Sequence, residues 1–170
     1  MIKYVDYDVV FQEVPGEVTL ALNISRCPYN CEGCHSPHLR EDIGRSVQED
    51  LPVLLEKYKG MVTCVLFLGA GKNEDRDSLY KCIHCCAVHG VKSAVYTGED
   101  DPKIHASPEE LMFFAMWYGY PDYLKTGPYK KELGGLSSPS TNQRMYRYST
   151  EIKCYEDITY MFWNKENDNG

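Results

Sequence analysis

The chain has 170 residues, 18 Lys and Arg against 25 Asp and Glu for a net charge of −7, and eight cysteines. That length suits one domain spanning 1–170, and 43% hydrophobic with 12% aromatic residues excludes global disorder. An acidic balance with scattered cations argues against nucleic acid as a partner, because phosphate neutralisation needs a concentrated basic face.

The longest uncharged apolar stretches, 61–70 and 111–118, fall short of the ~18 residues that cross a bilayer, and no signal-peptide pattern opens the chain. The sequence therefore reads as a soluble, cytoplasmic protein without a membrane partner. In reducing cytosol the cysteines are expected as metal ligands, catalytic groups or core residues, not as a disulfide framework.

Residues 4–12 and 18–24 carry β-forming residues on either side of Pro15-Gly16 and predict two strands joined by a turn. A cysteine-rich loop follows at 26–39. Residues 46–58 place Val47, Leu51, Leu54, Leu55 and Tyr58 at helical spacing. The continuous apolar run 62–68 predicts a strand covered on both faces, stopping at Gly69-Ala70-Gly71. Over 74–89 the stripe Leu79, Cys82, Ile83, Cys86, Ala87 predicts a helix closed by Gly90. A short strand at 93–97 ends at Gly98.

Ser107-Pro108-Glu109-Glu110 supplies an N-cap, a first-position proline and a third-position glutamate for a helix bearing Leu111, Phe114, Ala115 and Tyr118. A third short strand is expected at 121–125. Residues 130–142 form a Gly/Ser/Pro/Asn loop before 144–148 and an aromatic tail at 158–163. Strands alternating with helices imply βαβ units and a mostly parallel α/β sheet, with function at the loops after strand carboxyl ends.

Cys27-Pro28-Tyr29-Asn30-Cys31-Glu32-Gly33-Cys34 places three thiols at x3 and x2 spacing in such a loop. No fourth cysteine is nearby. A structural zinc or an electron-transfer [4Fe–4S] cluster takes four protein ligands, whereas three leave one iron open to a substrate or cofactor.

The loop resembles the signature of the radical S-adenosylmethionine (SAM) enzymes. Asn23-Ile24-Ser25-Arg26 before it and His35-Ser36-Pro37 after it narrow the resemblance to the activating enzymes of anaerobic (class III) ribonucleotide reductases. Tyr96-Thr97-Gly98, the 122–129 segment with Gly127-Pro128-Tyr129, and Ser140-Thr141-Asn142-Gln143-Arg144 match that family's later segments in order, so the likeness covers about residues 8–163. Two departures stand out: Gly69-Ala70-Gly71-Lys72 lacks the family's diglycine and acidic-Pro pair, and His35 stands where an aromatic is common.

The resemblance implies an incomplete (β/α) barrel, open on one side. It assigns Cys27, Cys31 and Cys34 to a [4Fe–4S] cluster. Gly33, Cys34, His35, Gly69, Ala70, Gly71 and Tyr96 are implied as SAM contacts, with no catalytic residues beyond cluster and SAM. The implied activity is that of an oxidoreductase: a low-potential donor such as flavodoxin or ferredoxin reduces the cluster, SAM yields a 5′-deoxyadenosyl radical, and this takes hydrogen from a glycine of the reductase large subunit. The loop and tail over 128–170 are the implied partner-facing part. Two rival readings are an activase of a pyruvate formate-lyase-type enzyme and a non-enzymatic zinc-binding interaction module.

The remaining cysteines divide by position. Cys82 and Cys86 share a helix stripe with Leu79 and Ile83, where a thiol acts as a small hydrophobe, and Cys85 lies beside them. Cys64 sits in a buried strand, and Cys154 has no visible partner. Arg26, Asp122 and Lys125 are charged candidates near the expected site face, and Phe162-Trp163 is read as a packed tail.

Overall fold

In the computed structural model, residues 1–71, 75–100 and 107–163 are described. Two strands open the chain, β1 (Lys3–Val10) and β2 (Thr19–Ile24), paired antiparallel across the Pro15-Gly16 turn. A two-residue strand, β3 (Arg45–Ser46), adds to the outer edge of β1. Helix α1 (Val47–Lys57) starts where the Ser46 hydroxyl accepts from the Glu49 amide.

Strand β4 (Cys64–Leu68), helix α2 (Arg76–Val88), strand β5 (Lys92–Tyr96), helix α3 (Pro108–Met116) and strand β6 (Tyr123–Thr126) follow. Two antiparallel strands, β7 (Arg144–Ser149) and β8 (Cys154–Asp157), finish the sheet before a short 3-10 turn at Thr159–Phe162. No helix among the described residues is long and apolar enough to cross a membrane.

All eight strands belong to one mixed sheet, ordered β3-β1-β2-β4-β5-β6-β7-β8. The α/β class is as expected; the mostly parallel sheet is not. The β2-β4, β4-β5 and β5-β6 pairings are parallel, and the other four, β3-β1, β1-β2, β6-β7 and β7-β8, are antiparallel. The cause lies in the connections. A parallel neighbour needs a crossover of a dozen or more residues, which α1, α2 and α3 supply. The turn at Pro15-Gly16 and the four residues between β7 and β8 are far too short for one. Among the described residues β3 and β8 form open edges, so the sheet does not close on itself.

Two apolar clusters hold the sheet, one on each face. Leu20, Leu22, Ile24, Val65, Phe67, Val95 and Leu124 point toward the helices, meeting Leu51, Leu54, Leu79, Cys82, Cys86, Phe114 and Ala115. The alternate residues Ala21, Cys64, Leu66, Ala94, Tyr123 and Met145 point to the other face, covered by Val14, Ile158, Phe162 and the flanking Leu136 and Trp163. Period-two alternation thus buries both sides of the central strands, which is why β4 reads as an unbroken apolar run. Each fully buried Leu, Ile, Val, Phe or Met among them contributes about 1.5–3 kcal/mol from burial.

The Phe162-Trp163 tail packs as expected, with the Trp163 indole donating to the Leu136 carbonyl at 2.9 Å. All three helices contribute to the same cluster, and β2, β4, β5 and β6 lie side by side in chain order. Their carboxyl ends therefore point one way, and the turns after them gather at one end of the sheet.

Candidate functional site

The cysteine loop begins where β2 ends. The Ser25 amide donates to Lys3, Arg26 adopts the left-handed backbone at φ 60°, and the Arg26 and Cys27 amides donate to the Glu41 and Leu39 carbonyls at 3.1 and 2.9 Å. The returning 37–40 segment, anchored by buried Leu39, thus closes the base of the loop. Within it, the Cys34 amide donates to the Cys31 carbonyl at 3.2 Å, a tight turn made possible by Gly33 at φ +74°. The Ser36 amide donates to the Cys34 sulfur at 3.4 Å.

Cys27, Cys31 and Cys34 are all free thiols and partly buried. Burial pushes the Cys27 thiol up, with further upward effect from Cys31 and Cys34 within electrostatic reach. Among the described residues no three His, Cys, Asp or Glu side chains stand gathered at metal-holding distance. The loop carries the donors without a finished cage.

Glycines at the ends of β4 and β5 let this loop sit down on the sheet. A Cβ on Gly71 would meet the Pro28 ring at 2.5 Å, and one on Gly98 would meet the Tyr29 ring at 2.7 Å. Gly69, at φ +93°, turns the chain beneath Cys27, where a Cβ would stand 3.9 Å from its sulfur. Tyr29 fixes the seat with a polar bond as well: its hydroxyl pairs with Thr97 Oγ1 at 2.8 Å, and Thr97 Oγ1 reaches the Tyr118 hydroxyl at 3.1 Å, which in turn donates to Glu99. Sequence reasoning missed Tyr29, Thr97 and Glu99 as a unit. The one local signal was Tyr29, a large aromatic set between two cysteines.

The end of β6 completes the site. Lys125 is 8% exposed, and its ammonium donates to the carbonyls of Gly127 at 2.8 Å and Thr97 at 3.5 Å, with Nζ 5.7 Å from the centre of the Tyr96 ring. Burial lowers its pKa to about 8, against the opposing pull of Cys31 and Cys27. The Gly127-Pro128 turn is held from behind by Gln143, donating to Gly127 at 3.3 Å, and Asn142, donating to Pro128 at 3.1 Å. Asn142 Oδ1 is buried with no partner among the described residues. Tyr129 stands over the loop, 3.8 Å from where a Gly33 Cβ would be and 6.1 Å centre to centre from the exposed His35 ring.

Other expected residues fall elsewhere. Tyr96 ends β5 on the face away from the helices, beside the second cluster, and its hydroxyl donates to the Glu13 carbonyl. Asp122 is not on the site face. It precedes β6 and accepts from the Ser93 amide at 2.8 Å at the amino end of β5, so the direction of the parallel strands separates it from Lys125. Arg26 is exposed, and its charge faces Asp42.

Cys64, Cys82 and Cys86 are buried core residues, and burial raises all three thiols, Cys82 to about 12. Cys85 is partly buried with its sulfur 3.8 Å from His89 Nδ1. Cys154 is buried in β8 and donates to the Pro108 carbonyl at 3.5 Å, tying that strand to the start of α3. Lys72 and the end of the chain from 164 lie outside the described residues.

Compared with protein-family models, curated proteins and solved structures, the chain matches none of them. The functional reading therefore stands on the motif and the geometry of this end of the sheet. Three free thiols in one eight-residue loop, beside a buried ammonium, are a donor set whose chemistry fits a thiolate-ligated iron–sulfur cluster with one iron open.

Proposed function

We propose that this chain is a radical SAM activase that installs a glycyl radical on an anaerobic ribonucleotide reductase. The observation that carries the reading is the three-thiol loop seated on glycine turns where β2, β4 and β5 end side by side. Strands β2, β4, β5 and β6 in chain order, with the helices on one face, support reading the sheet as the open barrel of that class.

When bound, a [4Fe–4S] cluster with an open iron supplies the electron that splits SAM into methionine and a carbon-centred radical able to take a glycine α-hydrogen. Cys27, Cys31 and Cys34 hold the cluster. Tyr29 and Thr97 keep the loop in place, and exposed Gly33 and His35 with half-buried Cys34 and Gly69 line the space for SAM, whereas Ala70 is buried in the core and Gly71 lies under the Pro28 ring. A flavodoxin- or ferredoxin-class donor delivers the electron, and the loop over 130–142 faces the protein substrate. Its own bonds, Ser140 to Leu133 at 2.9 Å and Thr141 to Gly134 at 3.3 Å, give it the defined shape a docking surface needs.

The test is electron paramagnetic resonance after anaerobic incubation of the reconstituted protein with SAM, a low-potential reductant and the reductase large subunit. A glycyl-radical doublet on the reductase is expected. A doublet on a pyruvate formate-lyase-type enzyme and none on the reductase would overturn the choice of substrate, and uptake of zinc alone would overturn the enzyme.

A further inference from the structure

Lys125 is a cation in an unusual place. It lies on β6 with only 8% of its surface exposed, its ammonium bonded to two backbone carbonyls, and no carboxylate among the described residues pairs with it. Carbonyl dipoles and the face of Tyr96 stabilise the charge in part. A buried ammonium otherwise calls for a neighbouring anion, since the loss of its hydration opposes burying the charge. Thr97, whose carbonyl the ammonium meets at 3.5 Å, also holds the Tyr29 hydroxyl at 2.8 Å, and Tyr29 sits between Cys27 and Cys31, so those two thiolates are the anions the loop offers to Lys125. The Gly127 carbonyl that holds Lys125 is itself held by Gln143, so the ammonium has a fixed position rather than a mobile one.

We infer that Lys125 is the counter-cation of the thiolate centre, stabilising its reduced state. The inference rests on the cluster reading above and adds to it a residue that tunes the centre without ligating it. Reduction adds one electron from the low-potential donor and breaks no bond. A fixed positive charge nearby favours the state that carries the extra negative charge, so Lys125 raises the reduction potential, and its effect is strong because the site is only partly reached by solvent.

The test compares wild type with Lys125→Met and Lys125→Arg, each reconstituted anaerobically with iron and sulfide. Iron content and the visible charge-transfer absorption report loading, and a potentiometric titration followed by electron paramagnetic resonance reports the potential. Comparable loading is expected in all three, with the Met variant titrating at a more negative potential than wild type and the Arg variant close to wild type. A loaded Met variant at the wild-type potential overturns the inference.

Should Met fail to fold by circular dichroism, Lys125→Gln is the second neutral variant and is read the same way. Unfolding of both neutral variants also overturns the inference, because a structural role for the ammonium then suffices. Wild type that takes up no cluster overturns the functional reading instead.

Discussion

Glu17 is buried before β2, yet three side chains donate to it: Lys92 at 2.6 Å, Thr63 at 2.5 Å and Tyr123 at 2.8 Å. Burial works against its ionisation, but these bonds outweigh that effect and hold the carboxyl below its usual range. A depressed folded value means the stabilisation is fully present above pH ~4.3, the unfolded glutamate value, and is lost as pH falls through the folded one. Glu17→Gln is expected to cost about 1–2 kcal/mol at neutral pH, discounted because Lys92 is mostly solvated. Its loss should shrink as pH falls toward the acid transition. Urea denaturation at pH 7 and pH 3.5 checks this, and an equal loss at both would contradict it.

Residues of this kind were hidden in the sequence. Glu17, Thr63, Lys92 and Tyr123 are far apart in the chain and meet only because β2, β4, β5 and β6 start side by side. The three cysteines were legible because their spacing is local. The Tyr29–Thr97 bond, which spans 68 positions, was not.

Elements were readable where a local rule wrote them. Ser107-Pro108-Glu109-Glu110 forms a complete capping box at α3, with the Glu110 amide donating to the Ser107 hydroxyl at 3.2 Å and the Ser107 amide to the Glu110 carboxylate at 2.9 Å. Ser107→Ala is expected to cost about 1 kcal/mol and to lower the melting temperature by about 2–4 °C, measurable by calorimetry. No change would mean the box adds nothing to α3.

Periodicity gave α3 its buried face and α1 all of its own except Tyr58, which is half-buried just past the helix, while in α2 Ala87 turns out exposed and Ser78 buried. The predicted start of α2 at Glu74 lies outside the described residues. Strands β3 and β8 escaped notice for a physical reason. They are two and four residues long, too short for an alternation to show, and both are defined by pairing with a partner strand rather than by their own composition.

At the scale of the molecule, the sequence pattern of strands and helices identified the α/β class but not the directions of the outer strands. Helical crossovers set the three parallel pairings, and short connections set the antiparallel pairings β1-β2 and β7-β8. The consequence for function is spatial. Apart from Asp122, the candidate groups, from the cysteines to Gly71, Thr97, Lys125 and Tyr129, sit at the carboxyl ends of adjacent strands, while the Glu17 cluster closes the other end.

The central claim is that the three-thiol loop holds a cluster that cleaves SAM. Its most direct test is chromatographic measurement of 5′-deoxyadenosine released by the anaerobically reconstituted protein with SAM and a low-potential reductant. Wild type is expected to release it, and Cys31→Ala to lose at least about a hundredfold of that yield, some 2.7 kcal/mol or more in barrier terms. Release at the wild-type level by Cys31→Ala, or none from a wild-type protein that has taken up iron and sulfide, would contradict the account.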